Sequence, residues 1–427
     1  MKISERAHAL EILLRLLQKH QPLAKNLQDP TVSPFTKTLC FGVARHYYRL
    51  AAIADSLVDK RPKELGIWIC LLMGLLQIIV LKLPEYAVVQ ETVALLPRKQ
   101  AWAKGFVNAI LRRFCREQAA ILKKLIPDPE FMSMHPFWLI EKIQKDWPQH
   151  FQAILTMNIQ HPPMSVRVNL QRISLENYVA RLEQAQIAYS RIPHTTAGLI
   201  ITQPCSVQEL PGFLEGELSV QDGAAQLAGP LLDLKPGLRV LDACCAPGGK
   251  LSQILELEPE LAACVGIDVD AQRLKRVQDN CTRLGLQPSL QQGDATQPQA
   301  WWDGRLFDRI LLDTPCSATG IIRRHPDIKI LRNLSEIQAI TKVQTQILTA
   351  LWPLLAPGGI LLYATCSIMP EENSQQIADF LQQHPDAQPQ IIEQAWGHAT
   401  GHGWQILPGE HKMDGFFYAK IRKAFIA

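Results

Sequence analysis

The chain is expected to be an α/β protein: a doubly wound domain over 218–427, preceded by an all-α domain over 1–125 and a small α+β module over 130–215. Three observations lead there. From Leu218 onward short apolar runs alternate with amphipathic segments, the order that builds a parallel sheet covered by helices. Before residue 160 no strand-like alternation occurs, and apolar residues recur at helical spacing. Between these regions, breaks at Ile126–Pro129 and His161–Pro163 frame a stretch that mixes both patterns. A length of 427 residues accommodates two or three such domains, and 47% hydrophobic composition supports sizeable cores.

The amino-terminal region opens from Ile3 with a helix whose Ala7, Leu10, Leu14 and Leu17 fall on one face. Further helices are expected over Thr36–Ala54, from Leu65, over Ala87–Leu96 and over Ala101–Cys115. Leu65 to Leu81 is apolar except for Gln77. It is at the lower edge of bilayer-spanning length and ends beside Pro84, so it reads as the central helix of a bundle. Arg45, Arg49, Lys104, Arg112 and Arg113 are expected on or near the surface of this domain.

The net charge is only +4, but its distribution is uneven. Residues 1–150 carry 22 Lys/Arg against 13 Asp/Glu, whereas the remainder is slightly acidic. That asymmetry suggests an anionic partner docking on the first part; a solvated basic face is the competing explanation. The ten cysteines contain no CxxC pair and no His/Cys cluster at zinc spacing, so neither a disulfide scaffold nor a metal site is indicated. Free thiols and an amino terminus without the apolar core of a signal peptide point to the cytoplasm. A monomer without membrane attachment is expected.

In the module, Ser165–Leu170 and Leu199–Thr202 read as strands, and Ser174 caps a helix over Leu175–Ala185. In the last domain, strands are expected at Arg239–Ala243, Cys264–Asp268, Ser289–Gln292, Asp308–Leu312 and Gly359–Ala364, with a late pair near Gln405 and Phe416–Ile421. Helices fall at Gly249–Leu257, Ala271–Leu284 and Glu336–Leu355. Ligands of such sheets bind outside the carboxyl ends of the strands, where the strand order reverses.

The stretch LRVLDACCAPGGK, Leu238 to Lys250, has the form of a buried strand ending in an acid and then a small glycine-paired turn. Glycine allows close approach of the backbone, the following helix offers its positive end, and Lys250 adds a charge suited to a carboxylate. GxGxxG is absent, so a dinucleotide pyrophosphate is not the obvious guest; an ordinary strand-to-helix connection is the alternative. Asp268, in GIDVD, is placed for the two hydroxyls of a ribose, and Asp294, in QGDAT, for an adenine edge. Acids also cap helices after strands, as Asp270 does here, but with the turn they favour an adenosine-bearing cofactor.

LLDTPCSATG places Asp313 and Cys316 at the next strand end, and LLYATCS places Cys366 at the one after. Two thiols and a carboxylate in one crevice suit alkylation of a carbon that is not nucleophilic by itself. A pyrimidine C5 becomes so only after a thiolate adds to C6, and a carboxyl group can hydrogen-bond the N3 and N4 edge. One cysteine attacks and the other can assist elimination; position alone does not say which. The base must leave its stack, so a loop base is the least costly substrate.

These motifs, VLDACCAPGGK, GIDVD, LLDTPCSATGIIRRHPDIK, YATCSIMPEENS and DGFFYAKI, resemble those of the RNA cytosine-5 methyltransferases of the Nol/Nop/Sun family. LCFGVARHY and FVNAILRRF resemble the NusB-like RNA-binding domain of that family's bacterial 16S ribosomal RNA members. The resemblance covers nearly the whole chain. It implies a Rossmann-like class I methyltransferase domain, S-adenosylmethionine as cofactor and 16S ribosomal RNA as partner. It implies Cys366 as nucleophile and Cys316 as the residue that assists product release. It also implies that Cys244, Cys245, Ala246, Pro247, Gly248, Gly249, Lys250, Asp268, Asp294 and Asp313 contact the cofactor, Asp313 also lying near the cytosine. Cys245 and Thr314 depart from the usual alanines; both are small, and Cys245 would add an oxidation-sensitive thiol. Arg323, Arg324 and Lys329 are expected to grip RNA phosphates, exposed loop cations being the alternative. Rival functions are the same chemistry on transfer RNA, a non-catalytic RNA-binding or antitermination factor, and, more distantly, a nicotinamide dehydrogenase.

Overall fold

The computed structural model describes residues 4–425 except 30, 98 and 100, so the expected start at Ile3 lies outside the described residues. The chain forms two compact units, Met1–His161 with Ile322–Asn333, and Pro162–Ile321 with Leu334–Ala427.

The first unit is helical. Its opening helix, Glu5–Lys19, begins where the Ser4 hydroxyl accepts the Ala7 amide. The buried stripe is Ala9, Ile12, Leu13 and Leu16; Leu10, Leu14 and Leu17 pack half-buried at its edge. Both sets satisfy helical spacing, so the period alone did not select the face. Helices Pro34–Leu57 and Leu65–Ile79 form the centre. Every residue from Ile67 to Ile78 is buried, and among the described residues no helix is long and apolar enough to cross a membrane. Gln77 is satisfied within this core, donating to the Met73 carbonyl and accepting from Arg6 Nε. Glu85–Ala94 and Ala101–Leu125 follow. The helices Pro129–Ser133, Phe137–Asp146 and Phe151–Asn158 also pack in this unit.

The excursion 322–333 corrects three expectations. Lys329 is 1% exposed, and its ammonium donates to the carbonyls of Arg45 at 2.9 Å and Met134 at 2.6 Å. Arg45 is 5% exposed rather than on the surface, its guanidinium bonded to the Gln160 and Arg323 carbonyls. Arg323 is buried and Arg324 half-buried. Buried Arg323 and Lys329 are not exposed to grip phosphates; the Lys329 ammonium and the Arg45 guanidinium, bonded to carbonyls, hold the segment inside the helical unit. Asp327 does the same by accepting the Leu23 amide at 2.8 Å.

The second unit begins with a four-stranded antiparallel sheet of β1 (Met164–Val168), β2 (Tyr189–Arg191), β3 (Gly198–Ile201) and β4 (Leu218–Val220), in the order β2-β3-β1-β4. The helix Leu175–Gln184, capped by Ser174 as expected, packs Tyr178 and Leu182 against Val166 and Leu199.

The main sheet comprises β5 (Arg239–Ala243), β6 (Ala263–Asp268), β7 (Ser289–Gln292), β8 (Phe307–Asp313), β9 (Leu355–Thr365), β10 (Ala387–Gln390), β11 (His398–Ala399), β12 (Trp404–Ile406) and β13 (Phe416–Lys423). Its order is β11-β12-β13-β9-β8-β5-β6-β7, with β10 paired to β13. The strands from β9 through β8, β5 and β6 to β7 are parallel, and β13 runs antiparallel beside β9. Alternation divides the central strands between two cores. Val240, Leu311 and Leu362 face one, while Leu241, Ile310, Leu312, Leu361 and Tyr363 face the other. Each such leucine, fully buried, contributes roughly 1.5–3 kcal/mol. The strand order reverses between β5 and β8, which puts the glycine turn and the Asp313 loop at the switch point.

Candidate active site

The turn after β5 is built by backbone. Cys244 adopts φ 64° and Gly248 φ 97°, with a cis peptide between Ala246 and Pro247. The Cys245 amide donates to Ile267 at 2.8 Å, and the Gly248 amide to Cys245 at 2.7 Å. A Cβ on Gly248 would sit 3.0 Å from Val277, so both the left-handed conformation and the space demand glycine. The helix Gly249–Leu257 leaves this turn. It is braced by Arg167 of β1, which donates to the Gly249 carbonyl at 2.9 Å and makes a bidentate pair with Glu256. The small sheet therefore props the turn from behind, a role its sequence did not reveal. Cys245 points into the apolar cluster with Val240, and burial pushes its thiol far up. It is a packing residue, not the oxidation-sensitive thiol expected.

Asp268 ends β6, 2% exposed. It accepts the Asp270 amide at 3.0 Å and the Ala246 amide at 3.3 Å, with Arg273 3.4 Å away. The acid expected beside the turn is thus bonded to the turn itself. Asp294 is exposed, and its Oδ1 accepts the Thr296 amide and hydroxyl at 2.8 and 2.7 Å, a local turn-forming role. Asp242, to which no role was assigned from sequence, is fully buried, and neither carboxyl oxygen has a hydrogen-bond partner. Burial first, then the charges of Asp313 and Asp268, hold it well above the usual carboxylate range against the opposing pull of Lys250. A buried carboxyl group without a hydrogen-bond partner, near Lys250 and Asp313, fits a site completed by a polar ligand.

The fourth and fifth parallel strand ends bring the chemistry together. Cys316 lies three residues beyond β8 and Cys366 one beyond β9, and their Sγ atoms are 3.4 Å apart. The hydrogen bond to Cys366, then burial, then the negative charges of Cys366 and Glu372 push the Cys316 thiol well above its ordinary value. Asp313 accepts from Lys250 Nζ at 2.7 Å, and the same ammonium stands 4.9 Å over the Phe416 ring. Burial works against that ammonium, but the charge and hydrogen bond of Asp313 outweigh it and hold Lys250 above its ordinary value. Lys250, expected to meet a carboxylate, meets one supplied by the chain. Thr314 is buried and donates its amide to the Ala364 carbonyl at 3.1 Å, which joins the two strand ends.

Two glycines complete the floor. Gly320 donates to the Cys366 carbonyl, and Gly415, from DGFF, donates to the Gly320 carbonyl, both at 2.9 Å. A Cβ on Gly320 would meet the Gly415 oxygen at 2.2 Å and the Cys366 oxygen at 2.9 Å. This backbone stacking has no sequence signal beyond two isolated glycines. Among the described residues, no group of His, Cys, Asp and Glu could hold a metal ion.

Comparison with known proteins agrees with this architecture. Residues 230–422 match the model for 16S rRNA methyltransferase RsmB/F, residues 135–208 the RsmF/B-like ferredoxin-like domain, and residues 3–116 the NusB family. Ribosomal RNA small subunit methyltransferase B of Pseudomonas syringae pv. tomato is 45% identical over 91% of this chain and 88% of its own length. Its Klebsiella pneumoniae (strain ATCC 700721 / MGH 78578) counterpart is 41% identical, over 99% and 98%. A methyltransferase homolog from Pyrococcus horikoshii superposes with a TM-score of 0.61 at 29% identity, over 69% of this chain and 98% of that one. PH0851 shares the fold across 99% of this chain and all of its own, with a TM-score of 0.81 at 22% identity. The chain belongs to the RsmB/F family of 16S rRNA methyltransferases.

Proposed function

We propose that this chain methylates carbon 5 of a cytosine in small-subunit (16S) ribosomal RNA, using S-adenosylmethionine, with Cys366 as the attacking thiolate and Cys316 as the group that assists release. The observation that carries it is the 3.4 Å separation of the two sulfurs beside the Lys250–Asp313 pair. When bound, the cofactor supplies an electrophilic methyl group. The residues that would hold it are Cys244 to Lys250, largely through backbone, with Asp268 toward the ribose, Asp294 toward the adenine and Asp313 beside the methyl donor. Glycine at 248 and the unpartnered Asp242 carboxyl fit such a guest.

On the chain's side, Cys366 adds to C6 and makes C5 nucleophilic. Asp313 accepts from the N4 amine, orienting the ring, while the Lys250 charge lies on the side where negative charge develops. After methylation the C5 proton must leave and the Cys366–C6 bond must break. Cys316, in contact with Cys366, gives its proton to the departing sulfur, and the Cys316 thiolate so formed takes the C5 proton, which leaves both thiols protonated. The helical unit's exposed cations, among them Arg112 and Arg113, suit an RNA backbone.

Transfer of labelled methyl groups to 16S, 23S and transfer RNA transcripts, with sites mapped by bisulfite reading, tests the proposal. Labelled cytosine in 16S RNA alone is the expected result. Labelling of transfer RNA instead would overturn the substrate, and no labelling with no heat of S-adenosylmethionine binding would favour a non-catalytic RNA-binding factor.

A further inference from the structure

Glu372 is fully buried at the end of the turn Pro370–Glu372, before the helix Ser374–Gln383. Its carboxylate accepts hydrogen bonds from both thiol loops. Oε1 takes the Ser317 amide at 2.6 Å, and Oε2 takes the Ser317 hydroxyl at 2.5 Å and the Ser367 hydroxyl at 2.5 Å. Ser317 follows Cys316 and Ser367 follows Cys366, so one buried anion binds the immediate neighbours of both sulfurs. The Thr319 hydroxyl closes the ring, 3.1 Å from each serine hydroxyl.

A carboxylate in this position is costly to desolvate unless charge-assisted hydrogen bonds compensate it. An apolar side chain would fill the volume without that cost, and it would leave the two loops untied. Its charge is also among the causes that keep the Cys316 proton in place. It therefore acts through the loops and through the field at Cys316.

We propose that Glu372 is the positioning residue of the thiol pair, fixing the Cys316 and Cys366 loops to one another. Its catalytic consequence rests on the methyltransferase reading above; the placement of the sulfurs can be measured without it.

Glu372→Gln keeps the volume and one acceptor but removes the charge. The first readout is the rate at which diamide joins Cys316 to Cys366, taken without RNA or cofactor and mapped by peptide mass spectrometry. The second is methyl transfer, separated into kcat and KM. Divided by the rate at which Cys316 alone reacts with iodoacetamide, which takes out the easier ionisation of Cys316 once the Glu372 charge is gone, cross-linking of the variant is expected to be about tenfold slower, with kcat lowered about tenfold and KM for RNA within about twofold of wild type. Glu372→Asp, which restores the charge, is expected to fall between. An unchanged cross-linking rate, so divided, would overturn the proposal, whatever happens to kcat, and so would slower cross-linking with wild-type kcat. Should Glu372→Gln fail to fold, Ser367→Ala removes one tether and a single oxygen, and the same outcomes decide. Slow cross-linking in the variant beside a wild type that methylates no cytosine would leave the positioning role standing and refute the methyltransferase reading instead.

Discussion

Cys316 and Cys366 are 50 residues apart in sequence and 3.4 Å apart at sulfur. Parallel pairing of β8 with β9 produces that contact, because it brings two successive carboxyl strand ends side by side. A disulfide closes at about 2.0 Å, so the pair is within reach of a bond but does not form one. Diamide, which accepts two electrons and two protons from a thiol pair, is expected to join these two before any other cysteines. Methyl transfer should disappear with the cross-link and return with dithiothreitol. Peptide mapping checks this, and a different first pair would contradict the geometry.

The Lys250–Asp313 contact predicts a catalytic loss without a matching loss of fold. Lys250→Met keeps the stem over Phe416 and removes the charge. It is expected to lower kcat/KM by about a hundredfold, roughly 2.7 kcal/mol of transition-state stabilisation, while the thermal midpoint changes little. Steady-state kinetics beside a melting curve separate the two effects.

Gly320→Ala tests the backbone stack under Cys366. Its Cβ would meet the Cys366 carbonyl oxygen, in a thiol loop, and the Gly415 carbonyl oxygen, just before β13, and neither can move without its backbone. The expected cost is about 1–3 kcal/mol of stability, with methyl transfer lowered about tenfold and cofactor affinity close to wild type. Denaturant unfolding and calorimetry read these separately.

Burial, with a smaller contribution from the Arg45 charge, pushes the Lys329 ammonium down to about 7 from 10.5. Between those values the unfolded chain binds the proton that the folded chain has released, so stability rises with pH. Below about 7 both states are protonated and the full penalty of burying the charge is present. Relative to Lys329→Met, the wild type should therefore gain stability from pH 7 to 9, by at most about 1.4 kcal/mol per pH unit. Urea unfolding of the first unit at several pH values checks the slope; parallel profiles would contradict it.

Much of the second unit was legible because its central strands are apolar runs bounded by turns: β5 fell at its expected residues and β6 began one residue early, and the helices Gly249–Leu257 and Ala271–Leu284 fell as expected. Short edge strands such as β2 and β11 carry too few residues to show a period. Parts of the site were legible for a related reason, since a reactive side chain at a strand end stands out against apolar neighbours. What sequence could not show was anything set by tertiary hydrogen bonding. Lys329 and Arg323 look like loop cations until the carbonyls of the helical unit are seen around Lys329 and Arg45. Glu372 and Arg167 are ordinary charged residues until their partners, far away in sequence, are placed beside them.

The most direct measurement is a denaturing gel of Cys316→Ala incubated with S-adenosylmethionine and 16S RNA, followed by peptide mapping of any shifted band. A covalent protein–RNA adduct attached at Cys366, absent from Cys366→Ala, is the expected result. Wild-type turnover without adduct in Cys316→Ala, or an adduct at any other residue, would contradict the division of labour between the two thiols.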